Sequence, residues 1–260
     1  MDSNKLELHL KGYTLFSNYF ETNFSQKVNS SIDESYKFCR EIQVKNGLGA
    51  ITDGTLHHLL ATNDPIYTEI LNRICDSEIY SFIKEFFSGN FILNSYGGVK
   101  NLPAKPSYVA NIHRDIRFFS GDFPLMLNLL IMLDDFTLDN GATYMLSGSH
   151  LEDRKPTEEE FYKKSARATG KRGDILFFNS NLWHAAGINN TNEERRAITI
   201  TFTKPFLKQQ LDYSRAVGYE NIEKLSPKLQ QILGFFSRVP SNLDEWYQKP
   251  EKRFYRPGQD

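Results

Sequence analysis

The sequence has little cysteine, which excludes a disulfide-rich protein and a protein built around structural zinc. Only Cys39 and Cys75 occur among 260 residues, too few for a disulfide framework and without the spacing of a structural zinc site. The first residues, MDSNKLELHLKGY, lack the apolar run of a secretory signal. We therefore expect a protein of a reducing compartment, and specifically a cytoplasmic one.

Long apolar runs and an excess of charge of one sign are also lacking. No stretch reaches the roughly 18 apolar residues that a membrane-spanning helix needs, so no membrane partner is expected. Lys and Arg number 31 against 32 Asp and Glu, for a net charge of -1, and such a balance gives no overall attraction to nucleic acid. The expected partner is a small molecule, and the oligomeric state is left open.

Three parts of the chain differ in their hydrophobic pattern. Helical periodicity dominates about residues 1–89, short apolar runs broken by turn residues fill about 90–206, and helical signals return in about 207–260. Seven or so short strands are typical of a sandwich or jelly roll. We therefore expect a single domain over 1–260 that is mainly β with flanking helices.

Capping and alternation predict where the elements lie. Helices are expected at 31–43, 64–74 and 77–88, after Pro156 and from Pro227. The predicted strands are 90–96, 107–113, 124–133, 142–146, 174–179, 182–187 and 196–203.

Three residues form a candidate metal site. His113 and Asp115 lie two positions apart in NIHRDIRFF, and on a strand such residues share a face. His184, in FFNSNLWHAAG, follows an apolar strand that a barrel would bring opposite the pair. Two imidazoles and one carboxylate leave metal positions open, as oxygen-activating iron(II) requires. Taken alone, a His-x-Asp pattern is more often a surface turn or a core histidine.

Arg195 is a candidate for binding a carboxylate. It lies eleven positions beyond His184, at the start of the alternating run RRAITITF. A guanidinium binds a carboxylate through two parallel hydrogen bonds. Arg196 would point to the opposite face of a regular strand, so only one of the two can enter the barrel. A solvated charge is the alternative for either arginine.

Four stretches of the chain occur in an order that matches a known family. They are NIHRD, LLIMLDDFTLDNGATYMLSGSH, GKRGDILFFNSNLWHAAG and NTNEERRAITITF, and together they cover about residues 107–206. The combination resembles the phytanoyl-CoA dioxygenase-like family of Fe(II)/2-oxoglutarate-dependent oxygenases. The resemblance implies a double-stranded β-helix, which is a cupin-like jelly roll.

The same resemblance implies roles for individual residues. Iron(II) would be held by His113, Asp115 and His184, and Arg195 would bind the distal carboxylate of 2-oxoglutarate. Asn111, two positions before the first histidine, and Thr143, in the Asn-Gly-Ala-Thr piece, correspond to further contacts with the co-substrate.

Three other polar residues are candidates with open alternatives. Asn128 is the only polar residue in LMLNLLIML, so it is either buried with a partner or directed at the co-substrate. On a regular strand, Asn111, His113, Asp115 and Arg117 would share one face, so Arg117 is a candidate for an anionic substrate, with a rim salt bridge as the alternative. His57 is a candidate at the pocket mouth, although packing or surface exposure is the commoner role of such a histidine.

The expected activity is a dioxygenase reaction with O2 and 2-oxoglutarate as co-substrates, hydroxylating a small organic molecule and releasing succinate and CO2. Related halogenases have a small residue where this chain has Asp115, so hydroxylation is expected, while desaturation, epoxidation and cyclisation stay open. The alternatives are a cupin-type enzyme that does not use 2-oxoglutarate and a non-catalytic metal-binding jelly roll that binds a ligand.

Overall fold

The computed structural model describes residues 2–105 and 108–259. Contacts between Cα atoms divide the chain into two compact units. The first comprises Met1–His57, Gly97–Phe123 and Leu127–Thr199, and the second comprises His58–Tyr96, Pro124–Met126 and Ile200–Asp260.

The strands form two sheets. Nine strands are seen in the described ranges: β1 (Tyr13–Phe16), β2 (Thr55–Leu56), β3 (Ile92–Asn101), β4 (Met126–Met132), β5 (Thr143–Met145), β6 (Ala166–Ala168), β7 (Ile175–Asn179), β8 (His184–Ala185) and β9 (Arg195–Thr203). The larger sheet has the order β1-β7-β4-β9-β3-β2, and the smaller one has the order β6-β5-β8. Strand pairs such as β4 with β7 and β5 with β8 are antiparallel. Antiparallel sheets with flanking helices were predicted, and this prediction is confirmed.

A buried apolar cluster joins strands of both sheets. Burial along most of β4 and β7 explains why these strands are largely apolar, since both of their faces are covered. The cluster consists of Leu130, Met132, Phe136, Ala142, Met145, Ala168, Leu176, Phe178, Leu182 and Ala197. It is the interior against which the candidate site is built.

The helices begin largely where capping residues predict. Their ranges are α1 (Asp2–Lys11), α2 (Thr22–Lys45), α3 (Pro65–Cys75), α4 (Glu78–Phe86), α5 (Glu158–Lys164), α6 (Tyr213–Val217), α7 (Pro227–Ile232) and α8 (Leu243–Trp246). Asp64 accepts a hydrogen bond from the Ile66 amide at the start of α3, and Ser226 accepts one from the Leu229 amide at the start of α7. Each side chain satisfies one of the free amides at a helix start. No helix in the described part of the chain is both long and apolar enough to cross a membrane.

One predicted helix is longer in the structure, and one predicted strand was wrong. The helix expected from Ser31 begins nine residues earlier at Thr22, because Phe24, Val28 and Ile32 continue one buried stripe. The strand expected at 107–113 is absent from its described part, residues 108–113, where a 3-10 turn is followed by an isolated bridge at His113. Position 107 lies outside the described residues.

In the second unit, side-chain hydrogen bonds join α3 to β3 and to α7. Tyr67 of α3 is fully buried, and its carbonyl accepts a hydrogen bond from the hydroxyl of Tyr96 at 3.1 Å. Lys228 of α7 donates to the carbonyl of Cys75 at the end of α3 at 2.7 Å. Such bonds satisfy polar groups that burial would otherwise leave unpaired.

The join between α1 and β1, in the first unit, depends on a glycine and a buried histidine. Gly12 has a φ of +83°, and a Cβ there would lie 2.5 Å from Nδ1 of His150 and 2.7 Å from Cδ1 of Leu182. The Nε2 atom of His150 is 3.0 Å from the carbonyl oxygen of His9, near the end of α1. Only glycine allows both the turn and this close approach.

Replacing Gly12 by alanine separates packing from backbone strain when it is compared with Gly47→Ala. Gly47 has a similar φ of +74°, but nothing lies within 4 Å of its missing Cβ. Both changes carry the strain of a left-handed alanine, about 1–2 kcal/mol. Gly12→Ala should cost about 1–3 kcal/mol more because it overpacks the join. Urea denaturation measures the two values, and equal losses would contradict the close approach.

The same join predicts a pH dependence of stability. Burial lowers the pKa of His150, although the His9 carbonyl partly opposes this. Because the unfolded chain then binds more protons below the ordinary histidine pKa of about 6.5, the free energy of unfolding should decrease as pH falls through that value. His150→Gln cannot titrate, so its stability difference from wild type should shrink between pH 7.5 and pH 5 in chemical denaturation. A constant difference would contradict the prediction.

Candidate metal centre

Backbone pairing places the two histidines side by side. The amide of His113 donates to the carbonyl of His184, and the amide of His184 donates to the carbonyl of His113, both at 3.0 Å. His184 also pairs with Met145 of β5, so a regular strand holds the bridge. The imidazole centroids are 4.3 Å apart. The loop carrying His113 is thus fixed on the smaller sheet by the candidate ligand itself.

Hydrogen bonds set the tautomer of each imidazole. Nδ1 of His113 is 2.7 Å from the carbonyl oxygen of Asn111, and Nδ1 of His184 is 3.0 Å from that of Leu182. A carbonyl only accepts, so each Nδ1 carries a hydrogen and each neutral ring keeps its lone pair on Nε2. These Nε2 atoms lie 3.5 and 3.7 Å from the carboxylate of Asp115.

The three side chains converge as metal ligands would. One ligand atom from each of His113, Asp115 and His184 lies within 4.8 Å of the other two. The side chains of His113 and Asp115 are each 33% exposed, whereas that of His184 is 8% exposed. The cluster is therefore anchored on the buried side by His184 and open on the side of the other two residues.

A buried amide orients the carboxylate. Asn128 of β4 donates to Oδ2 of Asp115 at 2.7 Å and to the hydroxyl of Ser180 at 3.0 Å. Of the two alternatives that the sequence left open for Asn128, the structure shows burial with protein partners. One of those partners is a candidate ligand, so Asn128 helps to place the carboxylate against the histidines.

The electrostatics of the cluster favour an ionised Asp115 and a neutral His184. Desolvation opposes ionisation of Asp115, but His184, His113 and Asn128 outweigh it and hold the pKa of Asp115 below its ordinary value. Burial also opposes the charged form of His113, yet Asp115 raises its pKa overall. Burial lowers the pKa of His184. At neutral pH the arrangement therefore offers an ionised carboxylate and a neutral buried imidazole, both suited to binding a cation.

Arg195, the first residue of β9, is buried with unpaired donors. Its exposed fraction is 3%, and its guanidinium lies 3.9 Å from the centroid of the Phe136 ring. Within the described residues, its Nε and Nη1 atoms have no hydrogen-bond partner. Burial lowers the pKa of Arg195 to about 9, and Asp134 only partly offsets this effect. Because a buried unpaired cation is costly, the arrangement fits an anionic ligand.

The guanidinium of Arg195 and the ring of His184 border the same interior. Ala197, two residues beyond Arg195, belongs to the buried cluster together with Phe136 and Phe178. The ring of Phe178 contacts the ring of His184, with centroids 4.8 Å apart. Thr143 is buried at the start of β5, and alternation gives it the same face as Met145 of that cluster. The fold thus brings Arg195 and Thr143 to the apolar interior that His184 also borders.

The structure does not place the side chains of Asn111, Arg117 and His57 against this interior. The segment after the bridge bends, so the premise that Asn111, His113, Asp115 and Arg117 share one strand face was wrong. Asn111 and Arg117 are exposed, and Asn111 contacts His113 through its carbonyl. His57 is exposed just after β2. The binding roles given to these three residues stay predictions.

Two contributing residues were missed from the sequence. Ser180 holds Asn128 across 52 positions of chain, and Phe136 packs on the guanidinium of Arg195. Neither residue belongs to a local pattern that marks such a contact, because both contacts depend on which strands become neighbours.

Relatives of this chain were found among curated proteins. The "Uncharacterized protein Rv1501" of Mycobacterium tuberculosis (strain ATCC 25618 / H37Rv) is 37% identical over 190 residues, covering 70% of this chain and 68% of the relative. "Dioxygenase andF" of Emericella variicolor is 29% identical over 172 residues, covering 62% of this chain and 56% of the relative. The match thus spans little more than half of that dioxygenase.

Solved structures share the fold. AviO1 from Streptomyces viridochromogenes Tue57 aligns with a TM-score of 0.60 at 19% identity, covering 80% of this chain and 96% of that one. Apo HygX from Streptomyces hygroscopicus aligns with a TM-score of 0.61 at 11% identity, covering 82% and 90%. The predicted jelly roll is confirmed. The family model described as Phytanoyl-CoA dioxygenase (PhyH) matches residues 37–197, and the chain therefore belongs to the phytanoyl-CoA dioxygenase family.

Proposed function

We propose that this protein is an Fe(II)/2-oxoglutarate-dependent dioxygenase that hydroxylates a small organic substrate and releases succinate and CO2. Membership of the family and the dioxygenases among its relatives support an oxygenase. The observation that carries the choice of co-substrate is the buried guanidinium of Arg195, whose Nε and Nη1 atoms lack partners in the described structure. A dicarboxylic keto acid supplies the anion that this group fits.

His113, Asp115 and His184 are the proposed iron ligands, through the two Nε2 atoms and the carboxylate. Two nitrogens and one oxygen on one side of an ion suit iron(II) and leave positions for other ligands. When bound, iron(II) and 2-oxoglutarate would supply the redox chemistry that couples decarboxylation of the keto acid to oxidation of a C–H bond.

The protein's own part is to hold these ligands before the ion arrives. The carbonyls of Asn111 and Leu182 fix the imidazoles with Nε2 facing Asp115. Asn128 holds the carboxylate by a bond of 2.7 Å. Hydrogen bonds of this kind behind the ligands raise metal affinity because they reduce the freedom lost on binding.

Arg195 is proposed to bind the distal carboxylate of 2-oxoglutarate by a two-pronged hydrogen bond. The Phe136 ring and the apolar cluster exclude water from the guanidinium, which strengthens an ion pair there. Thr143 is proposed as a further contact from β5. A cupin-type enzyme without 2-oxoglutarate, or a binding module without catalysis, gives no reason for this buried unpaired arginine.

Four further residues keep proposed roles around the cluster. Asn111 and Asn128 flank the iron ligands, and the resemblance to the family assigns Asn111 to the co-substrate; Asn128 is proposed to act there through Asp115. Arg117 is exposed shortly after Asp115 and is proposed to attract an anionic group of the substrate. His57 is a second proposed substrate contact.

Anaerobic titration with Fe(II) and 2-oxoglutarate tests the proposal. The chelate should give a weak visible charge-transfer band, and slow succinate release should follow on admission of oxygen. His113→Ala should abolish both because it removes one of three ligands. His9→Ala, which changes an exposed histidine of α1, should retain both. Absence of the band in the wild-type protein would refute the proposed function.

Arg195→Lys tests the assignment of the co-substrate site. Loss of a two-pronged, charge-assisted bond of about 1.5–3 kcal/mol should raise the apparent Kd of 2-oxoglutarate roughly 10- to 100-fold. Binding of Fe(II) alone should change little.

The neighbouring residue supplies a matched control. Arg196 pairs with Asp33 at 3.1 Å and with Asp134 at 3.3 Å, so Arg196→Lys should leave the Kd of 2-oxoglutarate close to wild type. Equal effects of the two lysine variants would count against a specific role of Arg195.

A further inference from the structure

Arg114 lies between the proposed ligands His113 and Asp115, yet it has no part in the site described so far. Its side chain is only 7% exposed. Its guanidinium lies 4.6 Å from the centroid of the Trp183 ring and 5.3 Å from that of Phe119. A buried cation enclosed by two aromatic rings has a defined position.

The ring of Trp183, the residue before the third proposed ligand, contacts this guanidinium. Trp183 immediately precedes His184, so the cation–π contact joins the neighbours of ligands on two different segments. It lies beside the reciprocal backbone bonds of His113 and His184. The side-chain contact and the backbone bridge therefore restrain the same pair of segments.

The segment 149–154, called the bracing segment below, holds both partners. Arg114 donates to the carbonyl of Glu152 and, at 3.0 Å, to the carboxylate of Asp153. Trp183 donates from its indole nitrogen to the carbonyl of Arg154 at 2.8 Å. The Trp183 amide donates to the hydroxyl of Ser149 at 3.0 Å. One stretch of chain thus fixes the stack from the side.

The contacts differ in strength. The Asp153 side chain is 71% exposed, so water screens its ion pair with Arg114. The Trp183 ring is part-buried, so its contact with the guanidinium is less screened than the ion pair with Asp153. A planar guanidinium can donate to the carbonyl and stack on the ring at once, which a lysine ammonium cannot do.

At the bridge between His113 and His184, the proposed ligands and their sequence neighbours point to opposite sides. Ile112, Trp183 and Ala185 pack in a small cluster with Leu146 and Phe161, away from the interior. The ring of His184 instead packs on Phe178 of the interior cluster. Alternation at the bridge explains this division. Restraint of the outer side therefore fixes the inner, ligating side.

We propose that Arg114 is a positioning residue that locks the His113–Asp115 loop against His184 and so sets the affinity of the site for a divalent cation. The inference rests on the proposed metal centre. Arg114 does not touch the ion; it acts through the residues on either side of it.

Anaerobic titration with Co(II) tests this role, because the visible d–d spectrum of bound cobalt reports ligand geometry without turnover. Arg114→Met keeps the aliphatic stem and removes the guanidinium. It should weaken Co(II) binding about 10- to 100-fold, as loss of support behind metal ligands does elsewhere, and should shift the d–d bands. Arg114→Lys should not restore either property. Measurements below the melting temperature of every variant separate these effects from unfolding.

Arg154→Met is the matched control. Arg154 belongs to the bracing segment, its side chain is 58% exposed, and it pairs with Glu160 at 2.6 Å on the surface. This variant should bind Co(II) with wild-type affinity and spectrum. If Arg114→Met does not fold, Trp183→Leu removes the other half of the stack and should show the same loss.

The outcomes distinguish failure of the proposed metal centre from failure of the positioning role of Arg114. Failure of the wild-type protein to bind Fe(II) or Co(II) would overturn the proposed function. Wild-type binding together with unchanged affinity and spectrum in Arg114→Met, or in Trp183→Leu where it replaces that variant, would overturn the positioning role and leave the metal centre intact.

Discussion

The site depends on the two backbone hydrogen bonds that His113 and His184 exchange. They join an irregular loop to a strand of only two residues, His184–Ala185, which is itself held by β5. Because each histidine uses its main chain for this pairing, neither imidazole has to contribute to holding the segments together. The rings are free to present Nε2 towards Asp115. The sheet thereby fixes the positions of the candidate ligands, which a long flexible loop would not do.

A second constraint is the alternation of β9, which sends adjacent arginines into different surroundings. Arg196 lies among Asp33, Asp134 and Glu194 and its pKa is raised by these carboxylates against desolvation. Arg195 is buried over Phe136, and its pKa falls to about 9 because burial dominates. Two arginines at adjacent positions of one strand therefore have different surroundings. Only the inner one, Arg195, is suited to bind an anion in an apolar interior.

These elements also indicate what a sequence can predict. Strong local signals gave the caps of α3 and α7 and the strands β4, β7 and β9, since these depend on residues within a few positions of one another. The loop around His113 was predicted as a strand because its polar residues recur every second position. In the structure the segment bends, and His113 pairs with His184 only as an isolated bridge. Spacing of two positions therefore did not distinguish a strand from a bend. The hydrogen bond of Asn128 to Ser180 and the stack of Arg114 on Trp183 join residues 52 and 69 positions apart, and no local pattern encodes which strands meet.

The unpaired guanidinium of Arg195 has a consequence for the stability of the whole protein. Among the described residues its Nε and Nη1 atoms have no hydrogen-bond partner, which makes the fold less stable than it would be with an anion beside them. Any anion that binds only the folded chain restores that free energy in proportion to the logarithm of its concentration above Kd. With the proposed keto acid as that anion, resistance to heat and to proteolysis would follow its supply, and the abundance of the protein would be linked to metabolism without a separate regulatory site.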